Sequence, residues 1–282
     1  MSYIPSVNIE HGITDDFQYV VTPNTKNVWG NIVSCYHEGM HSFTIIGTYG
    51  TGKSSFLAAL QRDLTKKSSV LVENHKVFKT DKFEFLNVVG DYASLSSLLA
   101  IKLGLAEYAT SDEVLTALSK KYDNVKKVGK FLFLVVDEFG KVLEHAAANN
   151  PEQELYFLQK LAEFINAPKR EAILLSTLHQ NFSSYSYKLT DTQRNEWTKV
   201  KGRFKEIVFV EPIEQLLQLT ASRLEKRIAT PSEVARQNFT SLFNLAHQYK
   251  IVSQDLNSND TSKLYPLDPI SSVCLTLSMQ RY

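Results

Sequence analysis

Residues 47–54 read Gly-Thr-Tyr-Gly-Thr-Gly-Lys-Ser and follow directly on the apolar run 43–46. The spacing G-x-x-x-x-G-K-[ST], set between a strand and the start of a helix, is the pattern of a phosphate-binding loop. Its glycines let the backbone turn successive N–H groups toward an anion, and a helix opening at Lys53 adds its positive end. The feature therefore demands a strand, a tight loop and a helix in that order. It predicts that Gly47, Thr48, Tyr49, Gly50, Thr51, Gly52, Lys53, Ser54 and Ser55 wrap a polyphosphate. Lys53 is expected at the β and γ phosphates as a point charge, and the Ser54 hydroxyl on a bridging Mg²⁺.

A second run, 131–136, is apolar at every position and ends in Asp137-Glu138. Strands buried on both faces read this way in parallel sheets, and ligands of such sheets bind at the carboxyl ends of the strands. Asp137 is expected in the Mg²⁺ shell, directly or through water, and Glu138 as the base that orients the attacking water. No guanine-reading Asn-Lys-x-Asp is present, so ATP is the expected nucleotide. The adjacent Glu favours water over a small-molecule hydroxyl as nucleophile. The run 172–178 carries Ser176 and Thr177 at its end, followed by His179 and Gln180. Beside the acidic strand, Thr177 would turn its hydroxyl toward the γ-phosphate or the water, with His179 and Gln180 as alternatives.

These strands belong to an alternating series. Short apolar runs at 43–46, 83–89, 131–136, 172–178 and 207–210 are interleaved with helix-like stretches near 26–40, 53–64, 94–103, 111–121, 151–166 and 213–227. That order predicts an α/β chain with parallel strands and helical crossovers. Helix starts are marked by Thr110 with Glu113, by Asn150 before Pro151, and by Thr230 before Pro231 and Glu233. Beyond Val210 no run is strand-like, a polar stretch covers 253–262, and Asp268-Pro269 opens a last helix that stops without an end signal. The chain is therefore expected to be part of a longer protein.

Composition narrows the function classes. The 282 residues carry 31 Lys plus Arg against 30 Asp plus Glu, a formal charge of +1, so there is no global basic field for nucleic acid or anionic lipid. Nucleic acid remains possible without support from the charge. The run 131–136 is far short of the ~20 residues of a membrane span, and no membrane partner is expected. The N-terminus lacks the basic and apolar stretches of a secretory signal, and Cys35 and Cys274 are far apart, so the cytoplasm is the expected compartment.

With loop, acidic strand and polar strand end in this order, the chain resembles AAA+ ATPases, particularly the initiator-type branch with the origin-recognition proteins, and the related signalling NTPases. The segment Arg203-Phe204, strand, Pro212 and Gln215-Leu216 is similar to a signature of that branch. The resemblance implies a P-loop NTPase three-layer sandwich with a five-stranded, mainly parallel sheet whose first, third and fourth strands are central, plus a helical C-terminal extension. With the boundary that the end of the strand-like runs sets near Glu211, the chain is expected to comprise an N-terminal extension (1–22), an ATPase core (23–211) and a helical, lid-like region (212–282). The resemblance also implies that Arg203 reaches a nucleotide held by a neighbouring subunit, hence a homo-oligomer sharing its ATP sites. Arg236 is the candidate for a second sensor Arg. More narrowly, residues 137–141, 177–180, 202–204 and 265–269 look like the N-terminal ATPase part of large ATPases in bacterial antiphage defence loci. The implied activity is Mg-ATP hydrolysis coupled to assembly or remodelling, with a slow ATP-dependent signalling switch or a nucleic-acid-associated initiator-type ATPase as the alternatives.

Two other patterns compete. His37-Glu38-Gly39-Met40-His41 fits the zinc-protease spacing H-E-x-x-H, but Gly39 interrupts the helix that such a site needs, so the segment is read as a helix end running into the first strand. The lysine-rich stretch 120–130 is read as a solvated helix end.

Overall fold

The computed structural model describes residues 7–10, 19–66, 70–72, 77–187, 189–224, 232–252 and 263–280. The chain divides into two compact units, Met1–Gly47 with Gly52–Phe209, and Thr48–Thr51 with Val210–Tyr282.

The first unit is a five-stranded parallel sheet in the order β2-β3-β4-β1-β5. Its strands are β1 (Ser42–Ile46), β2 (Phe83–Val89), β3 (Phe131–Asp137), β4 (Ala172–Leu178) and β5 (Lys205–Val208). β1, β3 and β4 are interior, the order the resemblance implies. Side chains alternate across a strand, and β3 shows the consequence. Phe131, Phe133 and Val135 enter one core with Phe43, Ile45, Phe56 and Trp29, while Leu132, Leu134 and Val136 enter another with Val114, Leu143, Leu158 and Leu174. Both faces are covered, which makes the three-layer sandwich and explains why this strand carries no polar residue before Asp137.

On the first face lie α1 (Pro23–His37) and α2 (Lys53–Lys66); on the second lie α3 (Leu95–Lys102), α4 (Ser111–Lys127), α5 (Phe139–Ala148), α6 (Pro151–Ile165) and α7 (Asp191–Lys201). α1 starts earlier than expected because Thr22 and Thr25 form a reciprocal cap with Pro23 behind it. It ends at His37, and Gly39 takes φ 96°. His37 is exposed at the helix end, whereas His41 leads into β1, stacks on Tyr36 with centroids 4.5 Å apart and meets Ile165 O through Nδ1. The zinc-like pattern is thus divided between a helix end and the residue that precedes β1. α4 carries the expected cap, Thr110 N–H donating to Glu113 Oε2 at 2.8 Å. β5 sits two residues earlier than its apolar run, because Phe43–Ile46 pair with Lys205–Val208 and Phe209 N–H donates to Ile46 O just beyond.

The second unit contains α8 (Ile213–Leu224), α9 (Glu233–Gln248) and α10 (Pro269–Gln280), with a core of Leu217, Ala221, Phe239, Phe243, Ala246, Leu264 and Val273. α9 is capped by Ser232, whose hydroxyl accepts Ala235 N–H. The expected cap at Thr230, residues 225–227 of the expected helix and the polar stretch 253–262 lie outside the described residues. Asp268 caps α10 through the N–H groups of Ile270 and Ser271, both at 2.9 Å. Among the described residues no helix is long and apolar enough to cross a membrane.

Candidate functional site

The site is built at the carboxyl ends of β1, β3 and β4, which lie side by side in the sheet. β1 delivers the glycine-rich loop. Gly47 N–H donates to Leu178 O at 3.1 Å, pinning the start of the loop to the end of β4. Gly50 and Gly52 take φ 77° and 89°, a region that a Cβ disfavours, and the chain then enters α2 at Lys53. Thr51 Oγ1 donates to Thr48 O at 2.9 Å across the loop tip. Ser54 and Ser55 occupy the first turn of α2 and are half-buried.

Lys53 is only 5% exposed, which is unusual for an ammonium group. Its Nζ donates to Gly47 O and lies 3.3 Å from His179 Nδ1. Burial lowers its pKa from the ordinary lysine value, and the nearby carboxylates of Asp137 and Glu138 act in the opposite direction. Asp137, 4% exposed, accepts through Oδ1 the Thr177 hydroxyl at 2.6 Å and the Glu138 N–H at 3.1 Å. Glu138 turns the chain from β3 into α5 with φ 55° and ψ 34°, a left-handed conformation that is costly for a residue with a side chain. Its carboxylate Oε2 lies 3.2 Å from His179 Nε2.

The structure thus brings Lys53, Asp137, Glu138, Thr177 and His179 together. Thr177 is 1% exposed; its hydroxyl donates to Asp137 Oδ1 and accepts Glu138 N–H at 3.0 Å. It is a strut that fixes both acids from the neighbouring strand. His179 takes the bridging place, with one ring nitrogen toward the ammonium and the other toward the carboxylate. Gln180, the other alternative, is exposed. Arg203 lies apart from this group: its guanidinium donates to Lys199 O at 2.8 Å and to Glu163 Oε1 at 2.9 Å, and its carbonyl accepts from Asn166 Nδ2. Arg236 is exposed on α9.

The donor set fits a metal-bound polyphosphate. A buried ammonium, a helix start, a hydroxyl in its first turn and a carboxylate at the next strand but one match a triphosphate with its cation by charge and by type of donor. Sequence reasoning named His179 only as an alternative; the signal that finds it is its position just past β4, whose terminal carbonyl holds the loop. Gly90, at the end of β2 against Asp137, was not singled out at all.

No protein-family model and no curated protein matches the sequence. Among solved structures the chain is similar to the Aeropyrum pernix ORC2 protein in its ADPNP and ADP complexes, at 13% identity and a TM-score of 0.47, over 95% of this chain and 71% of that one. It is also similar to the Aeropyrum pernix ORC1 protein in complex with DNA, at 15% identity and a TM-score of 0.47, over 83% and 57%. A third similarity is to domain III of the Thermotoga maritima replication initiation protein DnaA, at 10% identity and a TM-score of 0.36, over 93% and 94%.

Proposed function

We propose that the chain binds Mg-ATP at this corner of the sheet and hydrolyses it. The observation that carries the reading is the short chain from Lys53 through His179 to Glu138, with Asp137 alongside, behind a loop of phosphate-binding pattern. In this reading the amides of 47–55 and Lys53 hold the β and γ phosphates, and Ser54 and Asp137 hold Mg²⁺. The cation would neutralise charge on the transferring phosphoryl group. Glu138 takes a proton from water as the water oxygen bonds to the γ phosphorus; the bond from that phosphorus to the bridging oxygen breaks, leaving ADP and phosphate. His179 orients the Glu138 carboxylate and competes with the phosphates for Lys53. Thr177 keeps Asp137 and Glu138 in register.

On the sequence resemblance, turnover is coupled to assembly or remodelling in a homo-oligomer, with Arg203 supplied to the neighbouring subunit's nucleotide and antiphage defence as the setting. A second reading, a slow ATP-dependent switch, is favoured by one observation: Arg203 is engaged by Glu163 of its own chain. A nucleic-acid-associated initiator is the remaining alternative, and the balanced charge lends it no support. The division into an extension (1–22), a core (23–211) and a lid-like region (212–282) is part of the same proposal.

The test is nucleotide titration together with steady-state turnover. Lys53→Ala should weaken ATP binding by about 10- to 100-fold, the value of a charged hydrogen-bonding partner. Undiminished binding by that variant would sink the phosphate-site reading. A parent rate per molecule that rises with protein concentration supports the shared site; a single bound and barely consumed nucleotide supports the switch.

A further inference from the structure

Gly90 follows β2 at the point where Val89 pairs with Asp137, and its N–H donates to Asp137 O at 2.7 Å. Its φ lies outside the left-handed region, so backbone freedom does not explain a glycine here. Space does. A Cβ at this position would fall on the carbonyl group of Glu138 and lie 3.1 Å from Asp137 O. Both obstacles are backbone, and neither can swing aside as the end of a side chain does.

The Glu138 peptide is held from its other sides. Its N–H donates to Asp137 Oδ1 and to Thr177 Oγ1, and its carbonyl accepts Lys141 N–H at 3.1 Å in the first turn of α5. It is also the left-handed joint between strand and helix, with no side-chain cap. A push from Gly90 therefore falls on the residue whose carboxylate must be aimed.

We propose that Gly90 is a positioning residue for hydrolysis: its bare Cα is the seat on which the Glu138 carbonyl rests, and this contact sets the direction of the Glu138 carboxylate. The inference rests on the role proposed above for Glu138. Gly90 touches neither the glycine-rich loop nor Lys53 by any contact described, and an added Cβ collides with the Glu138 carbonyl while only crowding Asp137 O at 3.1 Å, so its main effect belongs to turnover and not to ATP affinity. A misplacement of the order of 1 Å in a reacting group costs about a hundredfold in rate, and a methyl group at Gly90 demands a shift on that scale.

The experiment measures ATP binding and single-turnover hydrolysis in the parent, Gly90→Ala, Glu138→Gln and the double variant. Gly90→Ala should lose at least about tenfold in rate with parent ATP affinity, and should cost nothing further in the Glu138→Gln background, since it acts through that carboxylate. A parent rate in Gly90→Ala, a weakened ATP affinity, or an equal rate loss in both backgrounds would overturn the inference. If Glu138→Gln itself hydrolyses at the parent rate, the base assignment fails instead, and the inference with it. Should Gly90→Ala not fold, amide exchange of the parent decides: Gly90 and Glu138 should be as protected as the interior of β3, and exchange at the rate of an exposed loop would refute the seat.

Discussion

At the scale of single residues, the site is a problem of buried charge. An ammonium group at 5% exposure is tolerated at Lys53 because a carbonyl, an imidazole nitrogen and two carboxylates surround it. His179 ties this group to Glu138, and its removal leaves both ends less fixed. His179→Ala should lower the turnover rate by about tenfold with a smaller change in ATP affinity, as expected if the proposed general base loses its orienting partner; a parent rate would show that the ring is dispensable. Glu154 on α6 offers a test of stability away from the site. Burial pushes its carboxyl up to about 7, and its Oε2 has no hydrogen-bond partner among the described residues. The folded chain holds this proton more tightly than the unfolded one, so the contribution is complete below about pH 4 and is lost as pH rises through about 7. Glu154→Gln should therefore gain up to about 3 kcal/mol relative to the parent at pH 8 and little at pH 4. Denaturant unfolding at both pH values checks this, and parallel pH profiles for the two proteins would contradict it.

At the scale of elements, what was legible followed from local rules. Thr110 and Glu113 mark the start of α4, and the reciprocal cap is present; Thr110→Ala should destabilise the fold by about 1 kcal/mol, measured by denaturant unfolding, whereas an unchanged midpoint would mean that the cap is replaced by water. The fully apolar run before Asp137 gave away β3, since both of its faces are covered. α5 and α7 were not expected, for different reasons. α5 begins at a left-handed Glu138 with no capping side chain, so no start signal marks it, although Phe139, Val142, Leu143, Ala146 and Ala147 recur with a helical period over its ten residues. α7 carries a readable cap, Thr190 with Gln193, but buries only Trp197 and Val200, too few apolar positions to show a helical period. A sequence places a hydroxyl at a strand end without saying toward which neighbour it turns, and that of Thr177 turns to Asp137 and to the Glu138 N–H. The same holds for Gly90, whose reason for being glycine is a contact with a residue 48 positions later.

At the scale of the whole molecule, the sheet order places the ends of β1, β3 and β4 together although the chain visits them far apart, and that juxtaposition brings residues 53, 137, 138 and 179 within reach of one another. Arg203 belongs to this scale as well, since its proposed role needs a second subunit. If the site is shared, Arg203→Ala should abolish the rise of specific activity with protein concentration and lower the rate by at least about tenfold where the parent is assembled. A rate independent of both concentration and Arg203 would assign hydrolysis to the single chain. The central claim, that Glu138 readies water for attack on a triphosphate held by Lys53, is tested most directly by measuring bound ATP and its single-turnover hydrolysis in the same sample of Glu138→Gln. The account predicts ATP bound at parent affinity with the rate reduced by about 10²- to 10⁴-fold; hydrolysis at the parent rate would contradict it.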